Sequence, residues 1–171
     1  MSIEPLRKVR DHFSDIVDRV DREHERVTVT RNGRAVAVLI SPDDLEQLEE
    51  TLDVLGDPDA LADIREADAA YARGDTTNDV AASISRIGLT PPAARAVQTK
   101  LPETVAAAVI EFLTGALIEN PRRVGKPLRG DLSGIHSARR GTYRVLYRIN
   151  DQRHEVVVVR IDHRRGVYRT G

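Results

Sequence analysis

The chain contains no cysteine and no tryptophan, and aromatic residues make up only 4% of its 171 residues. The absence of cysteine excludes disulfides, cysteine nucleophiles and thiolate metal ligands, and it is typical of a reducing compartment. The scarcity of aromatics means that any core must be aliphatic. No stretch approaches the roughly 18 apolar residues that a membrane-spanning helix needs, and the first residues form no apolar signal region. We therefore expect a cytoplasmic chain with no membrane partner.

Charge is distributed very unevenly, although the whole chain has a formal net charge of only −1. Residues 1–82 contain 20 Asp and Glu against 10 Lys and Arg, whereas residues 83–171 contain 7 against 16. Most of the negative charge lies in residues 35–82, which hold 13 acids. This asymmetry indicates an acidic and a basic module that can neutralise each other, with the basic one suited to a polyanion.

The first half has the pattern of a helix, a hairpin and two further helices. Apolar residues at helical spacing predict a helix over about 5–22, opened by Pro5. Two β-branched runs, 26–31 and 35–40, flank Asn32-Gly33, a pair that favours a tight hairpin turn. Ser41-Pro42 predicts the start of a helix over about 42–55. A second acidic helix is expected from about 59 to 73, followed by a linker over 74–78 that coincides with the change of charge.

The second half has the order strand, two helices and three strands. We expect a strand over 84–89, helices from about 91 to 99 and from 102 to about 119, and strands over about 135–140, 142–149 and 154–161. A basic loop over 122–134 separates the helices from the last strands. This order predicts an α+β fold in which two helices pack on one face of a small, mostly antiparallel sheet.

These residues resemble two bacterial protein families that normally occur as separate chains. Residues 1–82, with the hairpin Thr-Val-Thr-Arg-Asn-Gly-Arg-Ala-Val-Ala-Val-Leu-Ile-Ser and its acidic tail, are similar to Phd/YefM (RelB-like) antitoxins. The remainder resembles RelE toxins, through Lys-Pro-Leu-Arg at 126–129, the run from 132 to 147 and the closing His-Arg-Arg-Gly-Val-Tyr. The resemblance implies three parts: a Phd/YefM-like helix–hairpin–helix module over 1–56 for DNA binding and dimerisation, an acidic toxin-neutralising helix and linker over 57–82, and a RelE-like toxin domain over 83–171.

For the toxin part, the resemblance implies an endoribonuclease that cleaves mRNA in the ribosome and inhibits translation. No metal-ligand spacing is present, so we expect no metal and no cofactor, with the 2′-hydroxyl of RNA as nucleophile. Arginine suits the scissile phosphate because its planar fork binds phosphate oxygens in pairs. The catalytic residues that we predict are Arg144, Tyr168, Arg164, Arg139 and His163, and the RNA-binding residues are Arg140, Arg165, Lys126 and Arg129.

Strand alternation adds a structural expectation for Arg144. Its side chain should point away from Tyr143 and Tyr147, which should enter the core. Some RelE toxins carry two lysines where this chain has Ile135-His136-Ser137, which leaves the proton donor open, with His136 as one substitute.

For the antitoxin part, the resemblance implies a homodimer or higher oligomer, formed through residues 1–56, that binds operator DNA. The DNA-binding residues that we predict are Arg10, Arg31, Arg7, Lys8 and Arg34. Leu61, Ile64 and Tyr71 on the acidic helix are expected to cover the toxin. Tethering would raise the local concentration of this inhibitor to roughly millimolar, within one chain or between two copies.

Two other functions fit the sequence. One is a DNA-binding autorepressor whose toxin-like part has lost its activity, which the missing lysines favour. The other is a ParE-like toxin that poisons gyrase, which has the same fold without the ribonuclease residues. Arg144 together with the ending from His163 to Tyr168 favours the ribonuclease.

Overall fold

The computed structural model describes residues 1–81 and 86–163, and its side-chain description omits residues 78–81 and 86. The chain divides into two compact units, Met1–Glu49 and Glu50–Gly171. No helix in the described ranges is long and apolar enough to cross a bilayer. The domain boundaries expected at 56 and 82 stay a prediction.

The first unit contains a three-stranded sheet with two short helices on one face. Its strands are β1 (Ser2–Pro5), β2 (Val27–Arg31) and β3 (Arg34–Leu39), in the order β1-β2-β3, with β1 parallel and β3 antiparallel to β2. The helices are α1 (Leu6–Asp11) and α2 (Phe13–Arg22). The core consists of Val9, Ile16, Val20, Val27 and Val29, with Leu39 packed against it.

The hairpin formed as predicted, because Asn32 and Gly33 both adopt the positive φ angles (50° and 77°) that its tight turn requires. Two expectations for this unit were wrong. The single helix over 5–22 is interrupted at His12, whose φ of −127° is not helical. Pro5 is the last residue of strand β1 and the N-cap residue of α1, one position before the helix rather than at its first turn, and no periodic pattern in the sequence predicts that short strand.

Helix α3 (Pro42–Leu55) begins in the first unit and ends in the second. The Ser41 hydroxyl accepts a hydrogen bond from the Asp44 backbone N–H at 3.1 Å, which is the helix cap that Ser-Pro predicted. Helix α4 (Pro58–Arg73) is capped by Asp57, whose carboxylate accepts from the N–H groups of Asp59 and Ala60. It ends at Gly74, which takes the left-handed conformation that favours glycine.

The second unit contains a six-stranded sheet in the order β4-β5-β9-β8-β7-β6. The strands are β4 (Thr77–Ala81), β5 (Arg86–Leu89), β6 (Lys126–Pro127), β7 (His136–Arg140), β8 (Tyr143–Asn150) and β9 (Glu155–His163). All neighbours are antiparallel except β5 and β9, which are parallel. The predicted linker over 74–78 was wrong at its end, because Thr77 already pairs with Leu89 in the sheet.

Helices cover one face of this sheet as the sequence predicted. They are α5 (Pro91–Arg95), continued by a π-helical turn (Ala96–Lys100), α6 (Glu103–Phe112), continued by a second π-helical turn (Leu113–Leu117), and the single turn α7 (Pro121–Val124). Val109, Phe112, Leu113 and Leu117 pack there against strand residues that include Tyr143, Val145 and Tyr147. The α+β fold with an N-terminal helix–hairpin–helix module and a small, mostly antiparallel sheet is therefore confirmed.

The opposite face of the sheet has a second, separate core. Val54 of α3 and Ala60, Ile64 and Ala67 of α4 pack against a set of apolar residues from the sheet and its basic loop: Leu128, Leu132, Ile135, Leu146 and Val159. Arg139 and Arg144, two of the predicted arginines, lie on this face. We refer to residues 50–73, the end of α3 and all of α4, as the acidic segment.

Candidate functional site

Among the residues that the structure describes, four arginines lie on the sheet face that the acidic segment covers. Arg139 is on β7, Arg144 and Arg148 are on β8, and Arg160 is on β9. We call this surface the arginine face. Arg144 points away from Tyr143 and Tyr147, which are buried in the core under α6, so the predicted alternation is confirmed.

Arg139 and Arg144 are directly opposite each other in the β7–β8 register. Like charges at such a cross-strand pair repel each other, so the pair requires an anion nearby. Glu50 supplies it: its carboxylate contacts Arg139, accepts a hydrogen bond from the Ser137 hydroxyl at 2.8 Å and lies 4.0 Å from Nη1 of Arg144. Asp53 makes a second contact with Arg139 at 2.5 Å. A carboxylate of the acidic segment thus occupies the position where two arginines concentrate positive charge.

Arg160 is surrounded by three carboxylates. Asp63 of α4 forms an ion pair with it, Asp57 lies 3.6 Å away, and Asp162 of the same strand lies 2.7 Å away. Burial alone would lower the pKa of Arg160, but the hydrogen bond to Asp162 and the charges of Asp162, Asp63 and Asp57 raise it. The guanidinium is therefore held in its charged form beneath the acidic segment.

Further contacts continue along α4. Asp68 accepts two hydrogen bonds from Arg148, at 3.0 and 3.1 Å. Glu66 forms a two-bond pair with Arg95 of α5 at 2.7 Å, and the hydrogen bond from Arg95 lowers the pKa of Glu66. Tyr71 donates to Glu155 at 3.2 Å. Each of the four arginines on this face therefore has a carboxylate of the acidic segment within 4.0 Å.

The apolar residues that we predicted for neutralisation lie in this interface. Ile64 is buried in the second core, and Leu61 packs against that core while partly exposed. Tyr71 contacts the ends of β8 and β9, where Asn150 donates to its hydroxyl at 2.7 Å. Val54, Ala60 and Ala67 complete the apolar contact.

The other predicted RNA-binding residues are divided between several places. Arg140 follows Arg139 on β7 and so faces the other side of the sheet, where its guanidinium lies 5.1 Å above the Phe112 ring. The structure thus places Arg140 on the opposite face of the sheet from Arg139 and Arg144. Lys126 is on β6, and the Arg129 backbone N–H donates to the Thr51 hydroxyl at 3.1 Å. Arg164, Arg165 and Tyr168 lie outside the described residues.

The two histidines considered for proton transfer lie apart. His163 is the last described residue of β9, opposite Tyr143 and next to Asp162. His136 faces the α6 side of the sheet, where it stacks on Tyr147 with ring centroids 5.4 Å apart. Burial lowers the pKa of His136, and its Nδ1 has no hydrogen-bond partner within the described ranges. His136 therefore does not share the arginine face with Arg144.

In the first unit, the predicted DNA-binding residues are exposed on two elements. Arg7, Lys8 and Arg10 lie on α1, where Arg7, Arg10 and Leu6 line a shallow groove. Lys8 pairs with Glu4 at 2.9 Å, and Arg10 pairs with the adjacent Asp11 at 2.8 Å. Arg31 and Arg34 flank the hairpin turn opposite each other. The structure brings together the three on α1 and, separately, the two at the turn.

The charged residues that sequence reasoning missed are those whose partners lie far away along the chain. Arg160, Arg148 and Asp162 belong to strands whose residues read as ordinary alternation. Only the register shows that Asp162 lies opposite Arg144 and that Arg160 lies opposite Leu146. Asp57 and Asp63 gave a signal as part of an acidic helix, but their partners could not be identified from spacing. No cluster of three His, Asp or Glu residues suited to a metal occurs in residues 1–81 and 86–163.

Comparison with known proteins gives two family matches along the chain. The family model of the antitoxin Phd_YefM of type II toxin–antitoxin systems matches residues 1–74. The model of the ParE toxin of the type II system parDE matches residues 54–168. The two matches overlap over residues 54–74, which include helix α4.

The individual relatives include a toxin and an antitoxin. Toxin RelE of Mycobacterium tuberculosis is 53% identical over 83 residues, which are 48% of this chain and 84% of that protein. Antitoxin RelB of the same organism is 50% identical over 74 residues, which are 43% of this chain and 83% of that protein. The crystal structure of the toxin–antitoxin complex RelBE2 from M. tuberculosis matches with 54% identity and a TM-score of 0.44, covering 46% of this chain and 95% of the other.

Proposed function

The chain belongs to the Phd/YefM antitoxin family in its first part and to the ParE/RelE toxin family in its second, and from this premise we propose that it is a self-inhibited endoribonuclease. The fusion joins in one chain a toxin and an antitoxin of a type II system. In our proposal, the second unit cleaves mRNA on the ribosome and thereby inhibits translation. The acidic segment keeps that activity blocked by covering the arginine face.

One observation carries this proposal: carboxylates of the acidic segment lie on the arginines that an RNA phosphate would need. Glu50 lies between Arg139 and Arg144, and Asp63 with Asp57 contacts Arg160. A carboxylate and a phosphodiester both accept paired hydrogen bonds from guanidinium groups. The acidic segment therefore imitates the substrate's charge, and RNA and the segment compete for the same donors.

The chemistry requires no cofactor in this proposal. The 2′-oxygen of RNA attacks the adjacent phosphorus, the bond from phosphorus to the 5′-oxygen breaks, and a 2′,3′-cyclic phosphate remains. Arg144 and Arg139 stabilise the charge that grows on the phosphate oxygens, a contribution that commonly lowers such barriers by about 3–4 kcal/mol per donor. A base takes the proton of the 2′-hydroxyl and an acid gives one to the departing 5′-oxygen. His163 and Tyr168 are the candidates, and Arg164 and Arg165 would lower the pKa of a nearby tyrosine.

The test is to express residues 84–171 alone and to map the ends of cellular RNA. We expect growth arrest, with mRNA cut within coding regions, while the full chain leaves growth unaffected. Circular dichroism of the isolated part serves as the control for folding. A folded but harmless domain would favour the autorepressor with an inactive toxin part. Altered DNA supercoiling with intact mRNA would favour a gyrase poison, the alternative that the match to the ParE toxin family model suggests.

For the first unit, we propose binding of operator DNA as a dimer in the cytoplasm. Strand β3 supports this, because it is an edge strand of the three-stranded sheet and its residues Val36 and Val38 are each 56% exposed. Phe13 and Ile3 are also exposed, at 54% and 68%. Apolar patches of this kind commonly mark protein interfaces. The cations on α1 and at the hairpin turn would contact DNA phosphates, which position a protein without reading sequence.

The dimer and its DNA contacts are tested separately. Val38→Lys should convert the full chain to a monomer in sedimentation experiments. Arg10→Ala should leave the dimer intact while weakening operator binding. Unchanged sedimentation of the Val38→Lys chain would exclude β3 from the interface.

A further inference from the structure

Asp162 joins the two most buried arginines of the arginine face. Its Oδ1 accepts a hydrogen bond from Nη2 of Arg160 at 2.7 Å, and its Oδ2 accepts one from Nη2 of Arg144 at 3.1 Å. Arg144 and Asp162 are direct partners in the β8–β9 register, and Arg160 is opposite Leu146. All three side chains therefore come from neighbouring positions on one face of two paired strands.

Each of these arginines has a donor atom with none of the described residues within hydrogen-bond distance, and the carboxylate of Glu50 stays 4.0 Å from Nη1 of Arg144. Nη1 of Arg144 and Nε of Arg160 are buried and have no hydrogen-bond partner in the described part of the chain. Arg144 is only 7% exposed, so water cannot readily take the place of a partner. Leaving a buried donor unpaired is costly, and more so for a charged group. Unmet donors on two adjacent guanidinium groups indicate a position built for an anion.

The charge of the cluster fits a particular class of anion. Two guanidinium groups and one carboxylate leave a net charge of about +1, which one phosphodiester neutralises. Burial alone would raise the pKa of Asp162, but hydrogen bonds from Arg160 and Arg144 outweigh this effect and lower it. Asp162 thus stays ionised and keeps hold of both arginines when the acidic segment moves away.

We propose that Arg160 is a second phosphate-binding arginine and that Asp162 is a positioning residue, which holds Arg160 and Arg144 so that both present donors to one RNA phosphodiester. This rests on the proposed function, because it uses the same face and the same substrate class. Asp57 and Asp63 then occupy the phosphate position on the Arg160 side in the blocked chain. Arg160 is thereby an RNA contact that the motif resemblance did not include.

The test uses the full-length chain in an opened form, with Glu50→Gln, Asp63→Asn and Ile64→Ala to loosen the acidic segment. The probe is a short single-stranded RNA with 2′-O-methyl groups at every position, which cannot be cleaved, so that binding is measured apart from catalysis. Fluorescence anisotropy gives the affinity at several salt concentrations. Arg160→Gln, Arg160→Lys, Asp162→Asn and Asp162→Glu are compared in this background.

The matched controls come from another arginine–aspartate pair. Arg122 binds Asp151 through one nitrogen and both carboxylate oxygens, at 2.8 and 2.6 Å, so Arg122→Gln and Asp151→Asn make the same chemical changes elsewhere. Thermal unfolding of every variant shows which ones remain folded at the assay temperature. Arg160→Lys keeps the positive charge and loses only the planar fork, so it keeps the comparison informative even when Arg160→Gln unfolds.

We expect Arg160→Gln and Asp162→Asn to weaken RNA binding about tenfold, and Asp162→Glu to restore most of the loss. The slope of log affinity against log salt should fall by about 0.7 in Arg160→Gln, as for one lost phosphate contact with a single strand. The controls should stay within about twofold. A purely structural role would lower the melting temperature and leave that slope unchanged.

Three results separate the two proposals. Binding by the opened chain without any cleavage of ordinary mRNA removes the ribonuclease and leaves the phosphate site standing. If the opened chain cleaves mRNA, but Arg160→Gln and Arg160→Lys leave its RNA affinity and salt slope unchanged, the role of Arg160 is refuted and the ribonuclease proposal stands. An opened chain that binds no RNA refutes both.

Discussion

The acidic segment should open from the sheet as a unit, and Ile64→Ala tests this. Ile64 is 6% exposed in the core between α4 and the arginine face. Truncating a buried isoleucine to alanine typically costs about 2–5 kcal/mol. We take about 2–3 kcal/mol because the cavity would lie at the edge of a small core. Since about 1.4 kcal/mol changes an equilibrium tenfold, the open state should become about 30–150 times more populated.

Hydrogen exchange measures that population directly, because amides exchange when their segment opens. The amides of α4 should exchange about 30–150 times faster in Ile64→Ala, while those of β8 and β9 change little. Ile110→Ala is the matched control, since Ile110 is 46% exposed on α6. Two results would refute the reasoning: unchanged exchange in α4, or equal acceleration in α4 and β8. Either would make the acidic segment an inseparable part of the fold.

Three further predictions concern the site, its pH dependence and the DNA contacts. Arg144→Ala and Tyr168→Phe should each lower mRNA cleavage by the isolated second part at least about a hundredfold while circular dichroism is unchanged, and full activity in both would remove the site assignment. The pKa of Asp162 is lowered in the folded chain, so its ionised form stabilises the fold above the ordinary carboxyl pKa of about 3.9, and this stabilisation is lost progressively as the pH falls below that value. In urea unfolding, the difference in stability between wild type and Asp162→Asn should therefore be large at pH 7 and smaller at pH 3. Arg10→Ala and Arg31→Ala should each lower the salt slope of operator binding by about 1, and an unchanged slope would exclude a phosphate contact.

Local patterns in the sequence predicted the elements whose cause is local. The turn at Asn32-Gly33, the cap at Ser41 and the end of α4 at Gly74 each depend on the conformational preference or hydrogen bonding of one or two residues. Alternation along β8 correctly separated Arg144 from Tyr143 and Tyr147. These features need no knowledge of the rest of the chain.

Features that depend on distant pairing were not predictable from the same patterns. Strand β1 exists because Ser2–Pro5 pairs with β2 more than twenty residues away, and β4 exists because Thr77 pairs with Leu89. The presence of Arg160 beside Arg144 depends on an irregular register in β8–β9 between Leu146 and Tyr147. Arg139 and Arg140 show that neighbours in the sequence need not share a surface, because strand β7 directs their side chains to opposite faces of the sheet.

The most direct measurement of the central claim compares the full-length chain with its opened form in a cell-free translation reaction, with the 5′ ends of the mRNA mapped. The opened chain, with Glu50→Gln, Asp63→Asn and Ile64→Ala, should cut mRNA and stop translation, whereas the intact chain at the same concentration should not. Adding Arg144→Ala to the opened chain should abolish the cuts. An opened chain that leaves mRNA whole, although hydrogen exchange shows α4 released, would contradict the account.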